Sequence, residues 1–194
     1  MSYLLYRGTR LENNITTLIL EAQGGNTVAF HKLVSYHDER VMTLALQLTR
    51  DKQDAEDLYQ EVFMKAYKAI GSFRLESEFF TWLYRITVNS FYNLQRKASR
   101  IQQQESLVPE KDSTHDIADD SIPSAANEEI QHTVTNALNQ LPTQQNTAFV
   151  MKHYEGLKIR EIATIMNLSD GTVKRYLFRA IEKLRPMLKE YRYA

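Results

Sequence analysis

Between Trp82 and Arg96, five side chains of complementary chemistry recur at spacings of three, four, three and four: Trp82, Arg85, Asn89, Tyr92 and Arg96. On an α-helix those intervals share one face. Aromatic rings stack on unpaired bases, guanidinium groups neutralise phosphates and an amide can pair with a base edge, so the stripe suits single-stranded DNA. The same spacing also fits a helix that packs Trp82 and Tyr92 beneath its neighbours. Phe79, Leu83, Ile86 and Leu94 form a separate apolar side of the helix and are its expected core contacts.

A second group lies near the C-terminus. Residues 158–180, KIREIATIMNLSDGTVKRYLFRA, have the layout of a helix-turn-helix: an amphipathic helix with the small Ala163 at its crossing point, a turn at Leu168, and a second helix capped by Ser169. Val173, Leu177 and Ile181 are expected to face the core. Thr172 in the first turn and Lys174, Arg175, Phe178 and Arg179 on the remaining surface are placed to meet base edges and phosphates in a major groove. Basic residues late in a helix also complement its dipole, so the charge alone does not separate a groove-facing surface from a solvated one.

The third group, DAEDLYQEVFMKAYKAI over residues 54–70, puts Leu58, Val62 and Ala66 on one helical face and Asp57, Gln60, Glu61 and Met64 on another. An acidic face carrying one apolar side chain fits protein docking, and it equally fits plain solvation.

These groups need helices to carry them. The 194 residues include only 6 Gly and 4 Pro, and apolar positions recur at three and four, so the fold is expected to be all-α. Residues 15–49 read as two helices broken near Gln23 to Asn26. Further helices are expected over 54–70, 79–99, 143–155, 158–166 and 170–190, with another from about Glu128 to Leu141. Pro186 should kink the last helix or mark its effective end. Residues 99–127 carry 2 basic and 6 acidic side chains and two of the prolines, which predicts a flexible acidic linker reaching at most about 100 Å. The expected organisation is an extension over 1–14, a helical domain over 15–98, the linker over 99–127, and a second helical domain over 128–194.

Composition narrows the function. The 24 basic and 24 acidic residues cancel, against indiscriminate nucleic-acid coating, yet 7 basic and 2 acidic residues lie between Lys174 and Arg192. The absence of Cys removes disulfides, thiolate metal sites and a cysteine nucleophile, and is compatible with a reducing cytoplasm. No apolar run has the length of a signal peptide or a membrane span. His31, His37, His115, His132 and His153 lack metal-ligand spacing, and neither a phosphate-binding loop nor a dinucleotide glycine pattern occurs. No cofactor, no metal and no enzymatic activity are expected. A helix-turn-helix regulator that binds duplex DNA by itself remains the alternative at this level.

The block FRLESEFFTWLYRITVN, preceded by DAEDLYQEVFMKAYKAIGSF and followed after the linker by IREIATIMNLSDGTVKRYLFRA, closely resembles the extracytoplasmic-function (ECF) sigma factors of bacterial RNA polymerase. The resemblance covers about residues 15–98, as sigma region 2, and 128–190, as region 4. It implies that region 2 binds core polymerase and captures the minus-10 promoter element, while region 4 contacts the β flap and reads the minus-35 element. Asp57, Gln60, Glu61 and Met64 then fall on the surface for the β′ clamp helices. The stretch from Phe73 to Phe79, with Arg74, Leu75, Glu76 and Ser77, matches the loop that cups a flipped base, and Trp82 and Asn89 match the edge of the melted bubble; Arg85 and Arg96 of the same stripe are expected minus-10 contacts beside them. Lys174, Phe178 and Arg179 match minus-35 contacts, and Thr172 and Arg175 are expected beside them; Arg175 and Tyr176 stand where other members vary in size and polarity, which leaves the preferred minus-35 sequence open. The resemblance also implies an anti-sigma partner.

Overall fold

The computed structural model describes residues 14–105 and 133–187, and every regular element among them is helical. Helix α1 spans residues 14–23 and buries Leu18, Ile19 and Ala22. It ends where Gly25 adopts φ +90°, a conformation that strains any side chain. The Asn26 side chain then accepts from the Ala29 amide at 3.2 Å and caps α2 (Thr27–Ser35).

One expectation changes here. Residues 15–49 form three helices, because the chain breaks again at Tyr36 and His37 before α3 (Asp38–Thr49). No Gly or Pro marks that break. The His37 amide bonds back to Val34 at 2.8 Å, and Asp38 and Glu39 open the new helix with carboxylates in its first turn. His37 itself is buried, its ring tilted against Phe79 at 5.3 Å with neither nitrogen hydrogen-bonded. Burial, reinforced by the charge of Arg40, lowers its pKa to about 4.

Helix α3 closes on Arg50 at φ 56°, and Asp51 caps α4 (Lys52–Ala69) by accepting from the Asp54 amide at 2.8 Å. That cap starts α4 two residues earlier than its acidic run predicts. A 3-10 turn over Ile70–Ser72 and a loop over 73–78 lead into α5 (Phe79–Glu105). This helix has 27 residues, so it is about 40 Å long and continues beyond the expected end at Ser99. Leu33, Leu44, Leu58 and Leu83 are all 0 % exposed and anchor the first helical domain, each contributing about 1.5–3 kcal/mol by burial.

The second domain contains α6 (residues 133–139), α7 (Thr143–His153), α8 (Ile159–Met166) and α9 (Asp170–Met187). The segment over 106–132, including most of the expected linker and the start of the last domain, lies outside the described residues, as do 1–13 and 188–194.

The two domains pack directly against each other, α5 on α8 and α3 on α7, so that Leu83, Tyr84, Val88 and Phe91 share one apolar core with Ala148, Met151, Ile162 and Ile165. Polar groups close the seam. Tyr84 donates to Glu155 at 2.6 Å, and the Arg50 guanidinium donates to the side-chain oxygens of Asn139 and Asn146. Burial lowers the Arg50 pKa and raises that of Tyr84, whose bond to Glu155 acts in the same direction.

Candidate nucleic-acid and polymerase interfaces

The α4 face is arranged as its spacing predicts. Ala55, Leu58, Val62 and Ala66 are buried, while Asp57, Gln60 and Met64 are exposed, Met64 at 59 %. Glu61 is half-buried and ion-paired with Lys65, whose ammonium also donates to Ser90 on α5 at 3.0 Å. Glu61 therefore helps hold α4 against α5 as well as contributing to the acidic face.

The loop over 73–78 is built on aromatic packing. Phe73 and Phe79 are buried, their rings 5.8 Å apart, and Trp82 leans on both at 5.1 and 5.4 Å. Above them Arg74, Leu75 and Glu76 are exposed and Ser77 half-buried, with Leu75 at φ 57°. The side chains that can meet a ligand directly are thus the middle of the loop, and the two phenylalanines form its floor. Gln23 of α1 donates to the carbonyls of Ile70 at 3.0 Å and Phe73 at 2.7 Å, fixing the near end of the loop.

Along α5, Trp82 and Arg85 are half-buried, and the Arg85 Nε is enclosed without a partner. Asn89 and Arg96 are exposed, the latter bonded to Asn93. Tyr92 differs. Its hydroxyl is enclosed beside Thr147 and Tyr176 of the second domain without a well-formed hydrogen bond, and burial pushes its pKa up to about 12. Asn89, Tyr92 and Arg96 line a groove of about 700 Å³ whose other wall is Thr143 and Gln144 of α7. The stripe keeps its expected face, part of which the second domain covers.

In α9 the Ser169 hydroxyl accepts from the Thr172 amide at 3.2 Å, so the cap is where the sequence puts it. Lys174, Arg175, Phe178 and Arg179 are exposed, Phe178 at 62 %, and Thr172 is half-buried beside the cap. Val173 and Leu177 are buried, but Ile181 is 40 % exposed, contrary to expectation. Successive steps of four carry Ile181 about 80° round the helix from Val173, whereas Ala180 and Leu184 return to within about 20° and are the residues buried. Pro186 lies inside α9, one residue before its last described residue, Met187.

Sequence reasoning did not find the seam residues Arg50, Tyr84 and Glu155. A signal was present in α5, where the apolar or small residues Leu83, Tyr84, Thr87, Val88, Ser90 and Phe91, all buried in the structure, extend round the helix beyond a single stripe, a surface too wide for packing on one side only.

Residues 33–101 match the family model for sigma-70 region 2, and residues 131–184 match that for sigma-70 region 4. RNA polymerase sigma-H factor of Pseudomonas aeruginosa is 36% identical over 183 residues, 89% of this chain and 95% of that protein. The chain belongs to the ECF sigma factors. The ECF RNA polymerase sigma-E factor of Haemophilus influenzae is likewise 36% identical, over 88% of this chain and 95% of its own length, and SigW of Bacillus subtilis is 30% identical over 93% and 100%. Among solved structures, CnrH in complex with the cytosolic domain of CnrY superposes with a TM-score of 0.67 at 25% identity, covering 91% of this sigma factor and 98% of that chain. The sigma factor RpoE bound to the anti-sigma factor NepR from Bartonella quintana gives 0.66 at 27%, covering 82% and 96%. The first domain is thus sigma region 2 and the second region 4. Among the described residues no helix is long and apolar enough to cross a membrane.

Proposed function

We propose that this sigma factor docks on the β′ clamp helices of core RNA polymerase through Asp57, Gln60, Glu61 and Met64, and on the β flap through region 4. It captures the melted minus-10 strand with Arg74, Leu75, Glu76 and Ser77 of the loop and with Trp82, Arg85, Asn89 and Arg96 of α5. Phe73 and Phe79 shape the floor of that site. Thr172, Lys174, Arg175, Phe178 and Arg179 read the minus-35 element.

The observation that carries this reading is the exposed loop over a three-ring aromatic floor, continuous along α5 with exposed Asn89 and Arg96. Flat rings and donors in sequence suit a flipped base followed by its neighbours along the strand. The factor supplies recognition and strand capture without catalysis or a cofactor, and acts in the cytoplasm beside the polymerase. An anti-sigma protein holds it until a signal arrives, a partnership supported by the similarity to RpoE, which was solved with one.

Run-off transcription with purified core polymerase tests the proposal. Trp82→Ala and Asn89→Ala are expected to leave closed complexes intact and to reduce permanganate reactivity of unpaired thymines. Wild-type reactivity in both would assign these side chains to packing alone.

A further inference from the structure

The loop over 73–78 is held from both ends. At the far end the Glu78 carbonyl accepts from the Trp82 amide at 3.2 Å as α5 begins, and buried Phe79 completes the aromatic floor. At the near end α4 gives way to the 3-10 turn, whose closing bond runs from the Phe73 amide to the Ile70 carbonyl at 3.1 Å, and the backbone then becomes extended at Phe73. The half-buried Gln23 amide is directed at this junction, donating to the Ile70 carbonyl at 3.0 Å and to the Phe73 carbonyl at 2.7 Å. Its nitrogen carries two hydrogens, one for each carbonyl.

We infer that Gln23 is a positioning residue for base capture: from α1 it sets the place of Phe73, and through Phe73 the aromatic floor and the exposed loop above it. This rests on the reading of the loop as the site of a flipped base. Gln23 is itself in a fixed position. It is the last residue of α1, which Leu18, Ile19 and Ala22 anchor in the core and which closes through bonds from the Gly25 amide to Ala22 and from the Asn26 amide to Glu21, each 3.0 Å. The loop needs support of this kind. Leu75, two residues beyond Phe73, has φ 57°, a left-handed conformation that a leucine keeps only where its surroundings impose it. The Ile70 carbonyl takes both the Phe73 amide and Gln23, so the bond that closes the turn and the bond from α1 meet on one atom. Without the amide the loop samples other shapes, and a base entering it must first order it, which weakens binding at that base.

Full-length Gln23→Met keeps the length of the side chain and removes both donors. Assembled with core polymerase, it is to be compared with the wild type on fork-junction DNA whose single-stranded minus-10 segment carries one abasic nucleotide at each position in turn. Wild-type holoenzyme is expected to lose about tenfold in affinity when the base taken by the loop is missing. Gln23→Met is expected to bind intact DNA about tenfold more weakly and to lose little more at that position, while keeping wild-type sensitivity at the others. Gln23→Glu, a polar side chain without a donor at neutral pH, should repeat the loss, and Gln23→Lys, which returns donors, should recover part of it. Circular dichroism and thermal melting select the folded variants. Wild-type affinity and base dependence in folded Gln23→Met or Gln23→Glu overturns the inference. So does an equal loss on every template with the base dependence intact, which would assign Gln23 to the fold alone. A wild type with no base-dependent position overturns the capture reading as well, so the two failures are distinct.

Discussion

The Tyr84 hydroxyl reaches Glu155 at 2.6 Å across 71 residues of sequence, joining the middle of region 2 to the turn before α8. A hydrogen bond to a carboxylate at a buried seam contributes about 1.5–3 kcal/mol. Tyr84→Phe is therefore expected to lower unfolding stability by that amount with little change in helical content. Urea unfolding followed at 222 nm measures it, and a loss under about 0.5 kcal/mol would mean that water replaces the bond.

His37 makes the fold sensitive to acid. Its folded pKa is lowered to about 4 from the ordinary histidine value of 6.5. Between those values the unfolded chain takes up a proton that the folded chain refuses, so stability is full above about 6.5 and falls as pH drops towards 4, by at most about 3 kcal/mol. His37→Gln should remove this dependence. Parallel stability curves for the two proteins over that window would show that the imidazole does not titrate as its burial implies.

On α4, the exposed pair Gln60 and Met64 can be altered without touching the core. Gln60→Ala with Met64→Ala is expected to weaken binding to core polymerase by about tenfold or more, a loss near 1.4 kcal/mol, at unchanged melting temperature. Glu61→Lys is a poorer probe, since it places a cation beside Lys65 and disturbs the link to Ser90. Biolayer interferometry with immobilised core enzyme compares the three, and wild-type affinity in the double variant would move the docking surface elsewhere.

Arg179 distinguishes two kinds of contact. As a bidentate partner of guanine, Arg179→Ala should cost about 1–3 kcal/mol and relax preference at a single minus-35 base pair. As a phosphate contact, its loss should weaken all sequences alike and flatten the salt slope by about one unit. Holoenzyme binding to single-base promoter variants at two salt concentrations resolves them, and no loss on any sequence would place Arg179 outside the interface.

The sequence was most legible where a local pattern determines the structure. Ser169 caps α9, Val173 and Leu177 face inward, and Leu58, Val62 and Ala66 line α4, because caps and helical periods need only near neighbours. Ile181 was misplaced by counting fours where the helix requires alternating fours and threes. The break at His37 left no trace because turn bonds from residues without special backbone preference end α2. The seam was beyond reach for another reason. Arg50 and Asn146 are 96 residues apart, and nothing within one helix period of either announces the other. Tyr92 shows the cost of that blindness, since its place on the stripe was predicted and its enclosure by region 4 was not.

The pair of hydrogen bonds from the Gln23 amide to the carbonyls of Ile70 and Phe73 places control of the loop over 73–78 in a helix that carries none of its residues. With the amide removed, the 3-10 turn and the start of the loop lose their common mooring to α1, while every proposed DNA contact keeps its side chain. In a genetic screen, alleles at position 23 would then be scored as promoter-melting defects, and their suppressors would be sought at the promoter when they belong at the turn over Ile70–Ser72. A family tree of such factors would record the same dependence as paired changes at sites some fifty residues apart.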